Sequence, residues 1–405
     1  MENYEQEKMM CDCEEEHYLQ TQKIIVGKNA EEKLIDSLCF GKHNKILIVA
    51  DNDYAFLGNI LQKVKMQHKE INKVIINEKA KICIAETLQD YGQELVVAVG
   101  GEELVSICKY YSFSLGCQLI VVAFDNFIDI TFSKFARLFD GVLFNIYVTE
   151  CPIEIYVFEQ KTDFVNLQTY YITGKYISLF DDIVAEMVFK KTICQRMKNF
   201  LKQTLSNYVN KKPQTKIQKW RTNTWVLIRL GQAMSFYNQT RGFCGGDYQL
   251  ASLMQSQCVS ADFLELYTIA LKLNVNSYTS FFDNYTFGRE VNVNKHIDAV
   301  SKLLKISPTE ALRRIDGASL IIDNKEITKV ANNYIPYIKT VLKKCLNKIF
   351  FVTSTINHPV NVLKKYKFDA YRVQKSFALT PCLFASPTTL HLIAGFGFMD
   401  KLLNE

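Results

Sequence analysis

Apolar residues in the first 125 positions form short runs that alternate with amphipathic segments. The runs KILIVAD (45–51), ELVVAVGG (94–101) and QLIVVAF (118–124) are almost wholly apolar, which is typical of strands buried on both faces of a sheet. Shorter runs at 23–27 and 74–76 predict two further strands. Helical periodicity at 30–38, 54–68, 80–91 and 104–115 completes an alternation that predicts a parallel, doubly wound α/β sheet of Rossmann-like type.

The pattern changes after residue 134. Asp140–Gly141 separates two β-rich runs and predicts a hairpin, and Cys151–Pro152 with the EQKTD that follows indicates a hinge region. Beyond about residue 165 helical periodicity dominates, and helices are expected at 181–197, 225–237, 261–273, 292–305, 326–349 and 388–403. The predicted domains are a disordered acidic tail (1–20), an α/β nucleotide-binding-type domain (21–160) and an all-α domain (161–405).

Composition excludes few classes of function. The 48 basic and 42 acidic side chains give a net charge of +6, which is too small an excess to indicate nucleic-acid binding. The amino terminus has no secretory signal pattern, and no apolar run approaches the roughly 18 residues of a membrane span, so we expect a cytoplasmic protein. The lysine-rich segment 209–222 is either a solvated loop or an anion-binding edge.

The twelve cysteines mostly stand alone in apolar surroundings, as in proteins of a reducing compartment. Cys11 and Cys13 form a C-x-C pair in the tail. That pair is either a ligand for a soft metal or an incidental feature.

Candidate ligand-binding residues follow the predicted strands, because ligands of such sheets bind outside the carboxyl ends of the strands. Asp51 is placed to accept hydrogen bonds from an adenosine ribose, or to act as a helix cap or turn residue. Gly100 and Gly101 open the next helix, where backbone amides and the helix dipole suit a phosphate. A tight turn would need the same two glycines.

The order of these segments resembles the superfamily of iron-containing alcohol dehydrogenases, glycerol dehydrogenases and dehydroquinate synthases, and in it the glycerol-1-phosphate dehydrogenase branch. The resemblance is carried by residues 45–58, 94–122, 140–141, 179–186, 240–255 and 388–403. It implies NAD(P) bound to the α/β domain, a zinc, iron or nickel ion held by the helical domain, and a cofactor cleft between them. The implied reaction is hydride transfer from a polyol or polyol phosphate. Dimers or larger assemblies are common in that superfamily.

The metal site that the resemblance implies consists of one aspartate and two histidines. The aspartate corresponds to Asp182, at the head of a predicted helix. The histidine motif Gly-x-Glu-His-x-x-x-His corresponds to residues 245–252, where Tyr248 and Ser252 stand at the histidine positions. The second metal histidine falls on Ser260. Tyrosine and serine do not replace two imidazoles for zinc or iron(II) near neutral pH.

No shift of this alignment supplies the missing imidazoles, because the chain has no histidine between His68 and His296. His358 and His391 are the remaining positions to consider as stand-in ligands, against an ordinary role as packed or surface histidines. One of the three implied metal ligands is therefore retained.

The nucleotide side of the resemblance also departs from the superfamily pattern. Glu102 replaces the third glycine of the cradle, and a carboxylate about 5 Å from a diphosphate costs about 3 kcal/mol at an effective dielectric of about 20. Ser106 replaces a family aspartate, and Ala123–Phe124 replaces the Pro-Thr that touches the phosphates. Lys109 and Asp129 are retained and are the candidate catalytic residues, although Asp129 alone could equally be a loop residue.

Three functions remain open at this level. The first is an NAD(P)- and metal-dependent dehydrogenase that acts on glycerol phosphate or a similar polyol, with no preference between NADH and NADPH. The second is a binding or regulatory pseudoenzyme that keeps the fold without the chemistry. The third is a lyase like dehydroquinate synthase, which needs the same metal site. Joint substitution at the metal and phosphate positions favours the second.

Overall fold

The computed structural model describes residues 9–10, 16–17, 21–77, 79–124, 126–159, 164–211, 215–284, 293–317, 324–354, 359–384 and 386–395. These residues divide into two compact units. The α/β unit comprises the described residues within Met1–Asn166 and Lys212–Gln239, and the helical unit those within Leu167–Lys211 and Thr240–Glu405. The chain thus returns to the α/β unit after residue 211, which the sequence pattern did not indicate.

Ten strands are described, and six of them form the parallel sheet predicted from the sequence. The strands are β1 (Met9–Met10), β2 (Glu16–His17), β3 (Lys23–Val26), β4 (Lys45–Ala50), β5 (Glu70–Ile75), β6 (Leu95–Gly100), β7 (Gln118–Ala123), β8 (Phe135–Phe139), β9 (Phe144–Val148) and β10 (Glu154–Val157). The parallel sheet has the strand order β3-β10-β7-β6-β4-β5. Two antiparallel pairs, β1-β2 and β8-β9, complete the set, and the second pair is the predicted hairpin at Asp140–Gly141.

Helices flank this sheet and make up the helical unit. They are α1 (Ala30–Phe40), α2 (Ala55–Lys65), α3 (Ile82–Thr87), α4 (Glu102–Leu115), α5 (Val165–Phe189), α6 (Gln195–Asn210), α7 (Lys216–Phe236), α8 (Gly246–Gln257), α9 (Phe263–Asn284), α10 (Val293–Leu304), α11 (Pro308–Gly317), α12 (Asn324–Ser354), α13 (Pro359–Lys365), α14 (Ala370–Leu383) and α15 (Thr389–Gly395), with 3₁₀ turns at Asp129–Phe132 and Arg241–Phe243. None of the described helices is long and apolar enough to cross a lipid bilayer.

Several element boundaries differ from the sequence prediction for local reasons. The helix expected at 80–91 shortens to α3, because the Asp90 side chain accepts the Gly92 N–H at 2.7 Å and Gly92 adopts a left-handed conformation. The helix expected at 181–197 is the end of α5, which stops before the left-handed Lys190. The lysine-rich segment is mainly helical rather than a loop: α6 ends at Asn210, and α7 starts at a Thr215 cap.

The strand order reverses between β4 and β6, since β5 lies beyond β4 on one side and β7 beyond β6 on the other. The carboxyl ends of these two strands form the topological switch point, where ligands bind in open α/β sheets. Asp51 follows β4 directly, and Gly100 ends β6. The strand-end candidates from the sequence therefore lie together at this position.

Candidate functional site

Asp51 bridges the ends of β4 and β6. Its Oδ2 accepts the Gly101 N–H at 2.9 Å, and its Oδ1 accepts the Tyr54 hydroxyl at 2.5 Å. A Cβ on Gly100 would lie 2.3 Å from Asp51 Oδ2, so the carboxylate packs against the glycine Cα. Gly100 is required here for close approach, as the glycine motif predicts, but the group that approaches is a side chain of the chain itself.

The start of α4 is also tied to the end of β7. The Glu102 N–H donates to the Asn126 carbonyl at 2.9 Å, and the Phe124 N–H donates to the Gly100 carbonyl at 3.0 Å. A Cβ on Gly101 would lie 3.0 Å from that Asn126 oxygen. The amides of Gly101 and Glu102, two of the free donors that a helix N-terminus normally offers, therefore already have acceptors within the chain.

Glu102 is buried in an ion pair, although the sequence suggested a carboxylate that faces a phosphate. Its Oε2 accepts from Arg137 Nη2 at 3.0 Å, its Oε1 accepts the Ser106 hydroxyl at 3.1 Å, and both charged side chains are buried. The Arg137 guanidinium also lies 4.5 Å from the centre of the Phe144 ring. Arg137 offsets the negative charge of Glu102. The electrostatic penalty expected for an unpaired carboxylate near a phosphate therefore does not apply here.

The two candidate catalytic residues lie close together inside the α/β unit. Lys109 is buried on α4 and donates to the carbonyls of Ile130 at 2.5 Å and Phe135 at 3.0 Å. Burial lowers the pKa of Lys109 to about 7, against the opposing effects of Cys151, Glu102 and Asp129. Asp129 is buried in the 3₁₀ turn, and its Oδ1 accepts the Ile130 N–H at 2.9 Å. Lys109 thus positions the turn that carries Asp129.

Asp182 lies in the middle of α5 and not at a helix head, and its partner is Arg241. Arg241 Nε lies 3.8 Å from Asp182 Oδ1, and Arg241 Nη2 donates to the Pro387 carbonyl at 3.1 Å. Burial raises the pKa of Asp182 to about 8, although Arg241 lowers it. Asp182 Oδ2 has no hydrogen-bond partner among the described residues. The carboxylate that corresponds to the family's metal ligand therefore faces a guanidinium.

The neighbouring Asp181 joins two helix starts. Its Oδ1 accepts the Thr389 N–H at 2.9 Å and the Thr389 hydroxyl at 2.6 Å, and its Oδ2 accepts the Gly246 N–H at 2.7 Å. The Tyr278 hydroxyl lies 3.4 Å from the same Oδ2. Asp181 is buried and connects α5 to the first residues of α8 and α15. Its carboxylate is fully engaged in holding these helices together.

The residues at the histidine positions do not assemble a metal site. Tyr248 is buried on α8, with its ring 5.1 Å from the Phe263 ring in an edge-to-face arrangement. Ser252 is buried one turn further along the same helix, whereas Ser260 is exposed in the turn between α8 and α9. An aspartate paired with arginine, a packed tyrosine and an exposed serine do not fit zinc, iron or nickel.

A second buried polar group lies beside this position. Lys175 donates to the Tyr171 hydroxyl at 2.8 Å and to the Phe243 carbonyl at 2.5 Å, and its ammonium lies 5.8 Å from the centre of the Tyr248 ring. Asp247 accepts a hydrogen bond from the Tyr267 hydroxyl, and burial raises the pKa of Asp247 to about 7. These contacts connect α5 to the 3₁₀ turn at Arg241–Phe243 and α8 to α9 within the helical unit, so this group contributes to its packing.

Of the alternative metal ligands considered from the sequence, His391 lies in the described part of the chain, and both of its ring nitrogens are engaged. His391 is buried: its Nδ1 accepts the Thr388 N–H at 2.9 Å, its Nε2 lies 2.9 Å from the Phe384 carbonyl, and burial lowers its pKa to about 4. A neutral imidazole engaged at both nitrogens has no lone pair left for a metal. His358, Cys11 and Cys13 lie outside the described residues. Within the described segments no three His, Cys, Asp or Glu side chains group as potential metal ligands.

Sequence reasoning missed the cations that pair with the candidate carboxylates. Arg241 lies within the segment TRGFCGGDYQ, which carries the histidine positions, and Arg137 lies in β8, the first strand of the hairpin. An arginine near an expected cation site is a signal that could have been weighed. Tyr54, which anchors Asp51, carries no comparable sequence signal.

Comparison with known proteins supports the fold. No protein-family model and no curated protein sequence matches the chain. An alcohol dehydrogenase from an archaeal halo-thermophile of a Red Sea brine pool matches in structure with a TM-score of 0.54 and 12% identity over 95% of this chain and 98% of that one. The iron-containing alcohol dehydrogenase of Corynebacterium glutamicum matches with a TM-score of 0.50 and 12% identity over 96% and 95%. The chain therefore has the fold of the iron-containing alcohol dehydrogenases, as the resemblance in sequence led us to expect.

Proposed function

We propose that this protein is a non-catalytic binding or regulatory protein that uses the dehydrogenase fold without metal-dependent hydride transfer. The observation that carries the proposal is the pairing of Asp182 with Arg241. In the resembled superfamily a cation polarises the substrate hydroxyl. Here the equivalent carboxylate faces a guanidinium, and Tyr248 and Ser260 stand at the imidazole positions.

Arg241 opposes the binding of a divalent ion at Asp182 through its charge. Its guanidinium keeps its charge at any physiological pH, so it repels a second cation at the same carboxylate. Arg241 also lowers the pKa of Asp182 against the effect of burial, which favours the charged carboxylate that faces the guanidinium.

One observation favours a second function, an NAD(P)-dependent dehydrogenase for a polyol or polyol phosphate. Lys109 and Asp129 are both present and enclosed in the α/β unit, and Lys109 fixes the turn beside Asp129 through the Ile130 carbonyl. This arrangement also serves the packing of that turn, so it supports catalysis less strongly than the Asp182–Arg241 pair opposes it.

The two functions are separated by metal analysis combined with turnover. The purified protein is incubated with zinc, iron(II) or nickel, desalted and analysed for bound metal, and NADH and NADPH oxidation is followed with dihydroxyacetone phosphate. We expect metal well below one equivalent and no turnover. Stoichiometric metal that a chelator removes together with activity would refute the proposal. Asp182→Asn is the control, since metal bound elsewhere on the surface is unaffected by it.

A further inference from the structure

The backbone amides at the start of α4 are used by the chain itself. The Gly101 N–H donates to Asp51 Oδ2 at 2.9 Å, and the Glu102 N–H donates to the Asn126 carbonyl at 2.9 Å. Amides at this position of a parallel sheet are the donors that a phosphate group would need. In this protein a side-chain carboxylate and a backbone carbonyl accept from them instead.

Asp51 is held against the glycines from both of its oxygens. Oδ1 accepts from the Tyr54 hydroxyl at 2.5 Å, while Oδ2 lies where a Cβ of Gly100 would come within 2.3 Å. The carboxylate therefore fills the space that the absence of a side chain on Gly100 leaves open. For the Gly101 N–H, Asp51 Oδ2 is a negatively charged oxygen acceptor, as a phosphate oxygen would be.

Aromatic rings pack around Tyr54 at the carboxyl edge of the sheet. Tyr54 follows β4, Phe124 follows β7 and Phe158 follows β10. The Tyr54 and Phe124 ring centres are 4.3 Å apart, Phe56 lies 5.5 Å from Tyr54, and Phe158 lies 5.0 Å from Phe56. Phe124 stands where the resemblance implies the threonine of the Pro-Thr that touches the phosphates. The ring contacts hold Tyr54, and through its hydroxyl they hold Asp51.

We infer that Asp51 is an internal substitute for a phosphate, which keeps this strand-end site closed to the diphosphate of a nucleotide. Asp51 excludes the ligand both by accepting the Gly101 N–H and by carrying a negative charge into the same space. The inference concerns the α/β unit alone and does not rest on the loss of hydride transfer proposed above.

The test uses ADP in metal-free buffer, because ADP carries the diphosphate and no nicotinamide. Binding is measured by calorimetry for the wild type, Asp51→Ala, Asp51→Asn and Asp53→Ala. We expect no saturable binding by the wild type at millimolar ADP, and an affinity roughly ten- to a hundredfold higher for Asp51→Ala, since a hydrogen-bond donor to a charged group is freed. Asp51→Asn keeps an acceptor for Gly101 but loses the negative charge, so its gain in affinity should be smaller than that of Asp51→Ala.

Asp53→Ala is the matched control for charge. Asp53 is exposed and pairs with Lys73 at 2.8 Å, so this variant removes an equal charge two residues away and leaves Gly101 bonded. The inference is overturned if Asp53→Ala gains as much as Asp51→Ala, if a folded Asp51→Ala gains nothing, or if the wild type already binds ADP as tightly. If Asp51→Ala does not fold, Tyr54→Phe releases one carboxylate oxygen and must give a smaller gain.

Discussion

The guanidinium of Arg241 lies 3.8 Å from the carboxylate of Asp182, inside the helical unit. At this distance the two groups do not form a hydrogen bond, and they form an ion pair when Asp182 is ionised. Burial raises the pKa of Asp182 to about 8; Arg241 lowers it, and the neighbouring Asp181 raises it further. Asp182 is consequently a carboxyl group that takes up a proton when the chain folds near neutral pH.

We expect Asp182 to make the free energy of unfolding fall as the pH rises from 5 to 8. The pKa of an unfolded aspartate is about 3.9, so between that pH and about 8 the folded protein binds one proton more at Asp182. The stabilisation that this proton provides is complete below about pH 4 and is lost as the pH rises towards 8. The free energy of unfolding changes by up to about 1.4 kcal/mol per pH unit in this range. Asp247, with its pKa raised to about 7, acts in the same direction.

Urea unfolding at pH 5, 6, 7 and 8 measures this dependence. Asp182→Asn keeps the shape of the side chain and cannot titrate, so its stability should change less over the same range. Parallel curves for the variant and the wild type would contradict the raised pKa.

The buried pair of Glu102 and Arg137 gives a second prediction. Arg137→Met leaves the Glu102 carboxylate buried without its cation, and we expect a loss of about 3–5 kcal/mol in the free energy of unfolding. Lys73→Met removes the cation of the exposed pair with Asp53 and should cost about 1 kcal/mol or less. Replacing both buried partners, by Glu102→Leu with Arg137→Met, should be less damaging than Arg137→Met alone. Equal losses for the buried and the exposed cation would argue against a structural role for the buried pair.

Lys109 predicts a pH dependence of the opposite sign. Its pKa is lowered by burial to about 7, whereas the pKa of an unfolded lysine is about 10.4. The unfolded chain therefore binds more protons between these values, and the contribution of Lys109 to stability rises with pH from about 7 to 10 and is lost as the pH falls through 7. In Lys109→Met the free energy of unfolding should depend less on pH between about 7 and 10. The substitution also removes the donor to the Ile130 and Phe135 carbonyls. If the pH dependence of the free energy of unfolding is the same in Lys109→Met as in the wild type, the lowered pKa of Lys109 is contradicted.

The fold was predictable where local pattern determines it. The runs around Val97 and Val121 are fully buried strands, and their apolar continuity indicated a parallel sheet before any pairing was known. Strand β10 was missed because Glu154–Val157 is a four-residue run inside a segment with the character of a hinge. Its strand conformation depends on pairing with β3 and β7, which are distant in sequence.

For the candidate site, the sequence identifies the positions that correspond to the motif but not the side chains that meet there. The positions of Tyr248 and Ser260 follow from alignment with a motif, and alignment requires only the order of residues. Which cation meets Asp182 depends on how the 3₁₀ turn with Arg241 packs beside α5, and no local pattern contains that information. The same reason explains why the sequence left Asp51 open between a ligand for ribose and a cap or turn residue and did not indicate that its carboxylate accepts from Gly101.

The packing of α7 against the turn that carries Asp129 gives a last prediction, in which one kind of substitution has opposite effects at two glycines. A Cβ on Gly231 would lie 2.1 Å from the Asp129 carbonyl oxygen and 2.9 Å from Phe132 Cβ. A backbone oxygen cannot rotate away as a side chain can, so α7 has to move from the turn, and Gly231→Ala should destabilise the protein by about 1–3 kcal/mol or more. Gly58 lies on the exposed side of α2 with nothing within 4 Å of its ideal Cβ. Gly58→Ala should therefore stabilise the protein by about 0.5–1 kcal/mol, because alanine loses less backbone entropy on folding. Urea unfolding of both variants measures the two effects, and a Gly231→Ala variant at least as stable as the wild type would show that close packing at Asp129 does not require Gly231.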